Sequence, residues 1–568
     1  MGKVLFTKTR TERRYYASYV IIASALMMLI VILQSFKYGI FETTLLLGWD
    51  SPSYVWTARY VIAKGPVYMI DAWGFPYFYT LLLAFFGYLA GDMVIVERIL
   101  PILFGVLLIW ANSELVLGIT KNIHISGLAA ILSPISLNVL RLVSDLHRNL
   151  MALSLSMIVL LLIQNFEERK SFTNRRCLSF LLLLFVIAIT QFETFFILSL
   201  SLVVYGIFAK NLRKLLMFTL VCAIPAAILV SLFPGYFFGY SGTLVYFEIE
   251  LTANQTLLWL VGSWVLLGFL IVGVFLFYKS GFRNKKLASP IFSWSLVILF
   301  LISLIGAKIV RLPTDFIYRS LIILPLPVLL ALGAQGCNNL IRHHEPSHTS
   351  SFTQKRQLFP VKFRRLLPFV ITFFLIGCFG FLTIQYVDIT LNPFISRSGY
   401  EKILETQRFL ANNSLSTPIF IFRGDPPVWY ANTYRCYVGA EIGEHFAYYG
   451  DIENLLQFIP SEPKIDHDNY LSQLEKYYLT YYYLELIGNM SGYPPPMYVH
   501  DSHIKSREVL MSHPIVIITP EFYNQEIPYC IKPFHIGEGI YVIPPYSSIY
   551  SSEITCHSEV MDAVVRCI

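Results

Sequence analysis

Asp50 closes an apolar run in LLLGWDSPSY and begins a series of ionisable residues that sit beside or inside apolar segments. The series continues through Asp71, Glu97, Arg98, Arg141, Asp145, His147, Arg148, Glu193, Lys308, Arg311, Asp315 and Arg319. Ionisable groups at membrane depth are expensive, so they pair with one another or serve a function. The chemistry open to such a mixture is that of carboxylates able to exchange protons beside guanidinium and ammonium groups able to hold an anion. One polar cavity in one leaflet would explain them together.

Each residue also has a plainer reading. Asp50 reads equally as the N-cap of a helix opening at SPSY, with Pro52 suited to the first turn. Asp145 in SDLHRN reads as a cap, His147 as a structural histidine, and Glu97 with Arg98 as a local ion pair. Arg311 and Arg319 flank LPTDFIY, where they are placed to snorkel toward headgroups. Glu193 interrupts an apolar stretch in TQFETFF, marks a short exterior turn and ranks third among the acidic candidates.

The elements that must position these residues are membrane helices. The chain of 568 residues is 55% hydrophobic and 14% charged, with mean hydropathy +0.59, which excludes an ordinary soluble protein and fits a polytopic membrane protein. Residues 16–35 follow the basic KTRTERR, are long enough to span and lack a small-residue cleavage site, so they read as an anchor. Further apolar runs lie at about 76–90, 99–119, 124–143, 149–165, 177–191, 193–209, 214–233, 256–278, 290–308, 320–336 and 366–386. If all twelve runs span, the basic loops near 169–176, 210–214, 279–286 and 342–365 fall opposite the basic N-terminus, against the positive-inside tendency. Reading 76–90, PYFYTLLLAFFGYLA, as a re-entrant or interfacial helix returns every basic loop to the cytoplasm and leaves eleven spans. The net charge of +7 then reports orientation in the cell membrane rather than nucleic acid as a partner.

A membrane domain over 1–386 carries its first outer loop at 36–98, and a mixed polar and aromatic segment follows over 387–568. In that tail TPIFIFRG, PIVIITP and GIYVIPP read as strands, and YEKILETQRFLANN and NYLSQLEKYYLTYYYLELI as helices, which predicts an extracytoplasmic α/β domain. The aromatic DPPVWYANTYRCYVGAEIGEHFAYYGD reads as buried core or as stacking surface. Cys436, Cys530, Cys556 and Cys567 are the cysteines that would meet an oxidising compartment, with their pairing open.

Asp50, Tyr54, Ala58, the KGP at 64–66, Pro76, Gly87, Glu97–Arg98, Pro134, Arg141 and Asp145 together resemble the GT-C glycosyltransferases of the protein O-mannosyltransferase and aminoarabinose-transferase type. The likeness is close over about 100 residues and loose over the span layout. It departs at Asp50, where members often carry an acidic pair and this chain has DS. The resemblance implies a GT-C-like fold of about eleven transmembrane helices plus a re-entrant or interfacial helix. It implies transfer of a sugar from a polyprenyl-phosphate or dolichyl-phosphate carrier to a protein, lipid or glycan acceptor on the outer membrane face.

Under that resemblance Asp50 is the base and Asp145 the second catalytic carboxylate. Arg98, Arg148, Lys308, Arg311 and Arg319 are the donor-phosphate cations, with Glu97, Arg141, His147 and Glu193 in support. GT-C relatives differ in metal dependence, so a divalent metal stays an optional cofactor. Two other classes compete: a transporter or flippase, which expects charges near the midplane and paired broken helices, and a non-catalytic relative whose membrane part anchors the tail.

Overall fold

The computed structural model describes residues 10–48, 50–67, 77–169, 174–208, 212–233, 285–306, 322–343, 361–393, 395, 397–412 and five short strands between 419 and 543. The expected span 256–278, the second tail helix, Asp71, Lys308, Arg311, Asp315, Arg319 and the four tail cysteines lie outside the described residues.

The protein is a helical membrane protein. Helix α1 (Arg10–Lys37) runs from the basic N-terminal stretch to a left-handed Gly39. Helix α2 (Ser51–Lys64) starts behind Asp50 and stops at Gly65, whose φ of 89° releases the chain. Helix α3 (Phe78–Ala90) ends on Gly91 at φ 72°. Asp92 then caps α4 (Met93–Thr120), its carboxylate accepting the N–H groups of Val94 and Ile95. Helices α5 (Ile123–Leu132), α6 (Leu137–Ser144) and α7 (His147–Arg169) follow. Next come α8 (Asn174–Thr190), α9 (Phe192–Phe208) and α10 (Leu212–Leu232). Helices α11 (Lys285–Gly306), α12 (Leu326–His343), α13 (Val361–Thr390) and α14 (Arg397–Asn412) complete the described set.

Helices α1, α4 and α7 contain stretches long and apolar enough to cross a membrane, and the bent pair α5–α6 is a fourth candidate. The run 124–143, expected as one span, is therefore broken: its two halves meet at 52° across residues 133–136. Pro134 explains the break, since it lacks an N–H and disfavours helical geometry in the residue before it. Helix α3 has 13 residues. At 1.5 Å each these rise about 20 Å, short of a hydrocarbon core of about 30 Å. It buries Tyr79, Thr80, Leu83, Ala84 and Gly87 on one face and leaves Phe85, Phe86, Tyr88 and Leu89 exposed on the other.

Wide apolar faces remain exposed on the outside of the bundle, with Ile384 76% and Phe36 68% exposed, as expected where lipid rather than water is the solvent. The main core packs α1 and α4–α13 through residues such as Met27, Leu108, Leu150, Leu198, Trp294 and Leu329. A second cluster gathers α2, α3 and the start of α4 around Tyr54, Val55, Trp56, Tyr79, Met93 and Leu100.

In the tail, strands β1 (Ile419–Phe422), β2 (Phe446–Tyr449), β3 (Ile515–Ile518), β4 (His535–Gly537) and β5 (Ile540–Ile543) form one mixed sheet in the order β2-β1-β3-β5-β4. Strands β2, β1 and β3 are parallel, and β5 runs antiparallel to β3 and β4. The three expected strands and the helix at 400–413 are present, while β2 and β4 were not anticipated. Helix α14 packs on β4 and β5.

Candidate functional site

The ends of α1, α6 and α13 meet the starts of α2, α4 and α7 at one end of the bundle, and most of the described ionisable candidates lie there. At the deepest level, Glu97 in the second turn of α4 faces His147, the first residue of α7. The Glu97 Oε1 to His147 Nδ1 distance is 2.7 Å, and both side chains are buried. Nε2 of His147 lies 2.9 Å from the Val143 carbonyl, which can only accept, so Nε2 carries a proton. A single further proton serves the Nδ1–Oε1 contact, and the pair is neutral overall wherever that proton resides. The Tyr79 hydroxyl donates to the other carboxylate oxygen at 2.7 Å.

Above this pair the rings of Tyr54, Tyr79 and His147 pack within 5.3 to 5.8 Å of one another. The Arg148 guanidinium sits between two aromatic faces, 4.2 Å from the Tyr77 ring centre and 5.6 Å from that of Tyr54. Such stacking holds a guanidinium in a fixed plane. Burial pushes the Tyr54 phenol well above its ordinary value, with the Asp50 carboxylate adding to the rise and Arg148 opposing it. The Asp145 carboxylate adds to the same rise.

At the rim, Asp50 occupies the N-cap position of α2, but its carboxylate makes no capping hydrogen bond, and its backbone is helical at φ −87°, ψ −17°. The capping reading of Asp50 therefore fails. Its own N–H donates to Oδ1 of Asp145. Asp145 closes α6, and its Oδ2 pairs with Arg141 Nη2 at 2.6 Å; both side chains are buried, at 3% and 11% exposure. Ser51 donates to the carbonyls of Leu47 (2.6 Å) and Ser144 (3.2 Å), and Ser144 donates to that of Thr390 (2.8 Å).

Gly48 makes this approach geometrically feasible. It has φ +85°, and a Cβ there would stand 1.9 Å from the Ser144 carbonyl oxygen. Its N–H donates to Asn392, beyond the end of α13, at 3.0 Å. Only glycine combines that backbone with that proximity.

Arg98, expected among the phosphate cations, turns instead to main chain: its Nη2 donates to the carbonyls of Ile40 (2.8 Å), Thr43 (2.6 Å) and Leu45 (2.9 Å). Glu193 lies in the first turn of α9 and accepts a hydrogen bond from Gln191. Among the described residues no group of three or more His, Cys, Asp or Glu side chains is arranged to hold a metal ion.

The arrangement thus joins Asp50, Asp145, Arg141, Arg148, Glu97 and His147. Sequence reasoning singled out Tyr54 only as part of the family resemblance and gave no role to Tyr77, Tyr79 or Gly48, although Tyr77 and Tyr79 stand two residues apart at the start of an interfacial helix. Chemically, the set offers a carboxylate at the rim, a stacked guanidinium and a buried, net-neutral floor. No protein-family model matches the chain, and no curated protein matches it.

Proposed function

We propose that the protein is a membrane-embedded glycosyltransferase that moves a sugar from a polyprenyl-phosphate carrier to an acceptor hydroxyl outside the cytoplasm. The observation that carries this reading is the meeting of Asp50, Asp145 and Arg148 at one pole of the bundle: the Asp50 N–H donates to Asp145, and Arg148 is stacked against Tyr54 and Tyr77. In an inverting step Asp50 takes the acceptor hydroxyl proton while the acceptor oxygen bonds to the anomeric carbon. The bond from that carbon to the phosphate oxygen breaks, and its electron pair leaves with the polyprenyl phosphate. That leaving group needs charge stabilisation rather than a proton, and Arg148 is held to supply it. Lys308, Arg311 and Arg319 remain further donor-side cations of the proposal.

Asp145 and Arg141 act in this reading as positioning residues, since the Asp145 oxygens hold the Asp50 N–H and Arg141. Eleven spans, a cytoplasmic N-terminus and an extracytoplasmic tail belong to the same proposal. The test is Asp50→Asn in reconstituted membranes supplied with polyprenyl-phosphate sugars. Transfer should fall by about 10²–10⁴-fold, the usual worth of a positioned base, with insertion and thermal stability as in the parent. Unchanged turnover would overturn the assignment.

A further inference from the structure

Residues 38–48, the stretch leading to Asp50, have little regular structure beyond a single 3-10 turn at Ile40–Glu42. Two different parts of the chain hold them. From the bundle, Arg98 binds the carbonyls of Ile40, Thr43 and Leu45. From the far side, Tyr400 in the first turn of α14 accepts the Thr44 N–H at 3.2 Å and also hydrogen-bonds the Thr44 hydroxyl. Tyr400 is 1% exposed, and Ile403 and Thr406 continue the same buried face of α14.

Two ion pairs reinforce the junction, Glu42 with Arg397 at 3.0 Å and Lys37 with Asp388 at 2.6 Å. Their side chains are about half exposed or more, so each contributes little by itself. The buried Tyr400 contact is the one able to fix a geometry. Gly48, four residues beyond Thr44, is then held against Ser144 and Asn392, which leaves the chain little freedom before Asp50.

We infer that α14, through Tyr400, is a positioning element for the loop that carries Asp50, so that the tail is a working part of the site rather than cargo on a membrane anchor. The role of Asp50 as base rests on the function proposed above; the hold of Tyr400 on the loop does not. Tyr400→Phe keeps the ring that fills the buried space and removes only the hydroxyl, and Thr44→Val removes the hydroxyl it meets.

In the full-length protein in lipid nanodiscs, hydrogen exchange of the amides at 40–48 should quicken in Tyr400→Phe while α4 and α7 exchange as in the parent. With a polyprenyl-phosphate sugar as donor, kcat should fall about tenfold, since small misplacements of a reacting group are costly, and the donor KM should stay within about twofold, because no donor contact is touched. Thr44→Val should lower kcat in the same way, and the double variant should be little worse than either single one. Unchanged exchange at 40–48 would overturn the inference, and so would faster exchange with unaltered kcat. If the parent transfers no sugar at all, the proposed function fails, and the exchange measurement alone still decides whether Tyr400 holds the loop.

Discussion

Glu97, His147 and Tyr79 form a buried group in which one proton between carboxylate and imidazole satisfies every polar atom the three present to each other. An amide in place of the carboxylate can do the same: its oxygen accepts from Tyr79 and its NH₂ donates to Nδ1 of a neutral His147. Glu97→Gln should therefore cost no more than about 1 kcal/mol of stability, the scale of one neutral hydrogen bond. Glu97→Ala leaves the Tyr79 hydroxyl and His147 Nδ1 facing a void, and about 3–5 kcal/mol should be lost, as when one member of a buried pair is deleted. Chemical unfolding of both variants in detergent gives the comparison, and equal losses would mean that the carboxylate charge itself is required. Sequence reasoning identified the ionisable members because such groups are conspicuous in apolar surroundings. It gave Tyr77 and Tyr79 no role because aromatic residues at a membrane interface have an ordinary explanation.

Helix α6 has only eight residues, yet it carries the Arg141–Asp145 pair and delivers Asp145 to the Asp50 N–H. The pair spans one helical turn, and the break at 133–136 turns α6 away from the direction of α5. Arg141→Met should cost about 3–5 kcal/mol by removing the cation from a buried carboxylate. Adding Asp145→Asn should restore most of that loss while keeping an oxygen for the Asp50 N–H. A double variant no more stable than the single one would show that the charge pair is not what holds α6 in place.

Most helices were legible from apolar runs of membrane length, because that pattern has one physical cause. The break in 124–143 was not, since hydropathy is continuous across ILSPISL and a proline also sits inside an unbroken helix elsewhere in the chain, as Pro101 does in α4. In the tail, IFIF, IVII and IYVI announced strands by β-branched and aromatic runs, whereas FAYY lay inside an aromatic stretch and HIG is too short to show a period.

At the scale of the molecule, six helix ends share one pole of the bundle, and the turn between α4 and α5 lies at the other. There Asn122 donates to Gln335 of α12 at 3.1 Å. Helix α4 has 28 residues, so Lys121 stands about 42 Å along its axis from the Asp50 pole. Lys121 and Glu401 are both exposed. Single cysteines at these two positions, in a background without other cysteines, should react with a membrane-impermeant thiol reagent from opposite sides only. Labelling from the same side would contradict a bilayer lying between them. The sequence places Asp50 and Asp145 in one polar cavity through their charge in apolar surroundings, but it carries no sign that Asn392 joins them, because its contact with Gly48 is made by a backbone carbonyl.

The contact between Thr44 and Tyr400 joins residues 356 positions apart. A ribosome adding 5–20 residues per second needs roughly 20–70 s to make the second after the first. Throughout that interval the nascent chain already holds Asp50 but not the tyrosine that braces its approach. The loop that leads to Asp50 thus gains its second hold only once synthesis has passed residue 400, and a product cut short before that point would lack it.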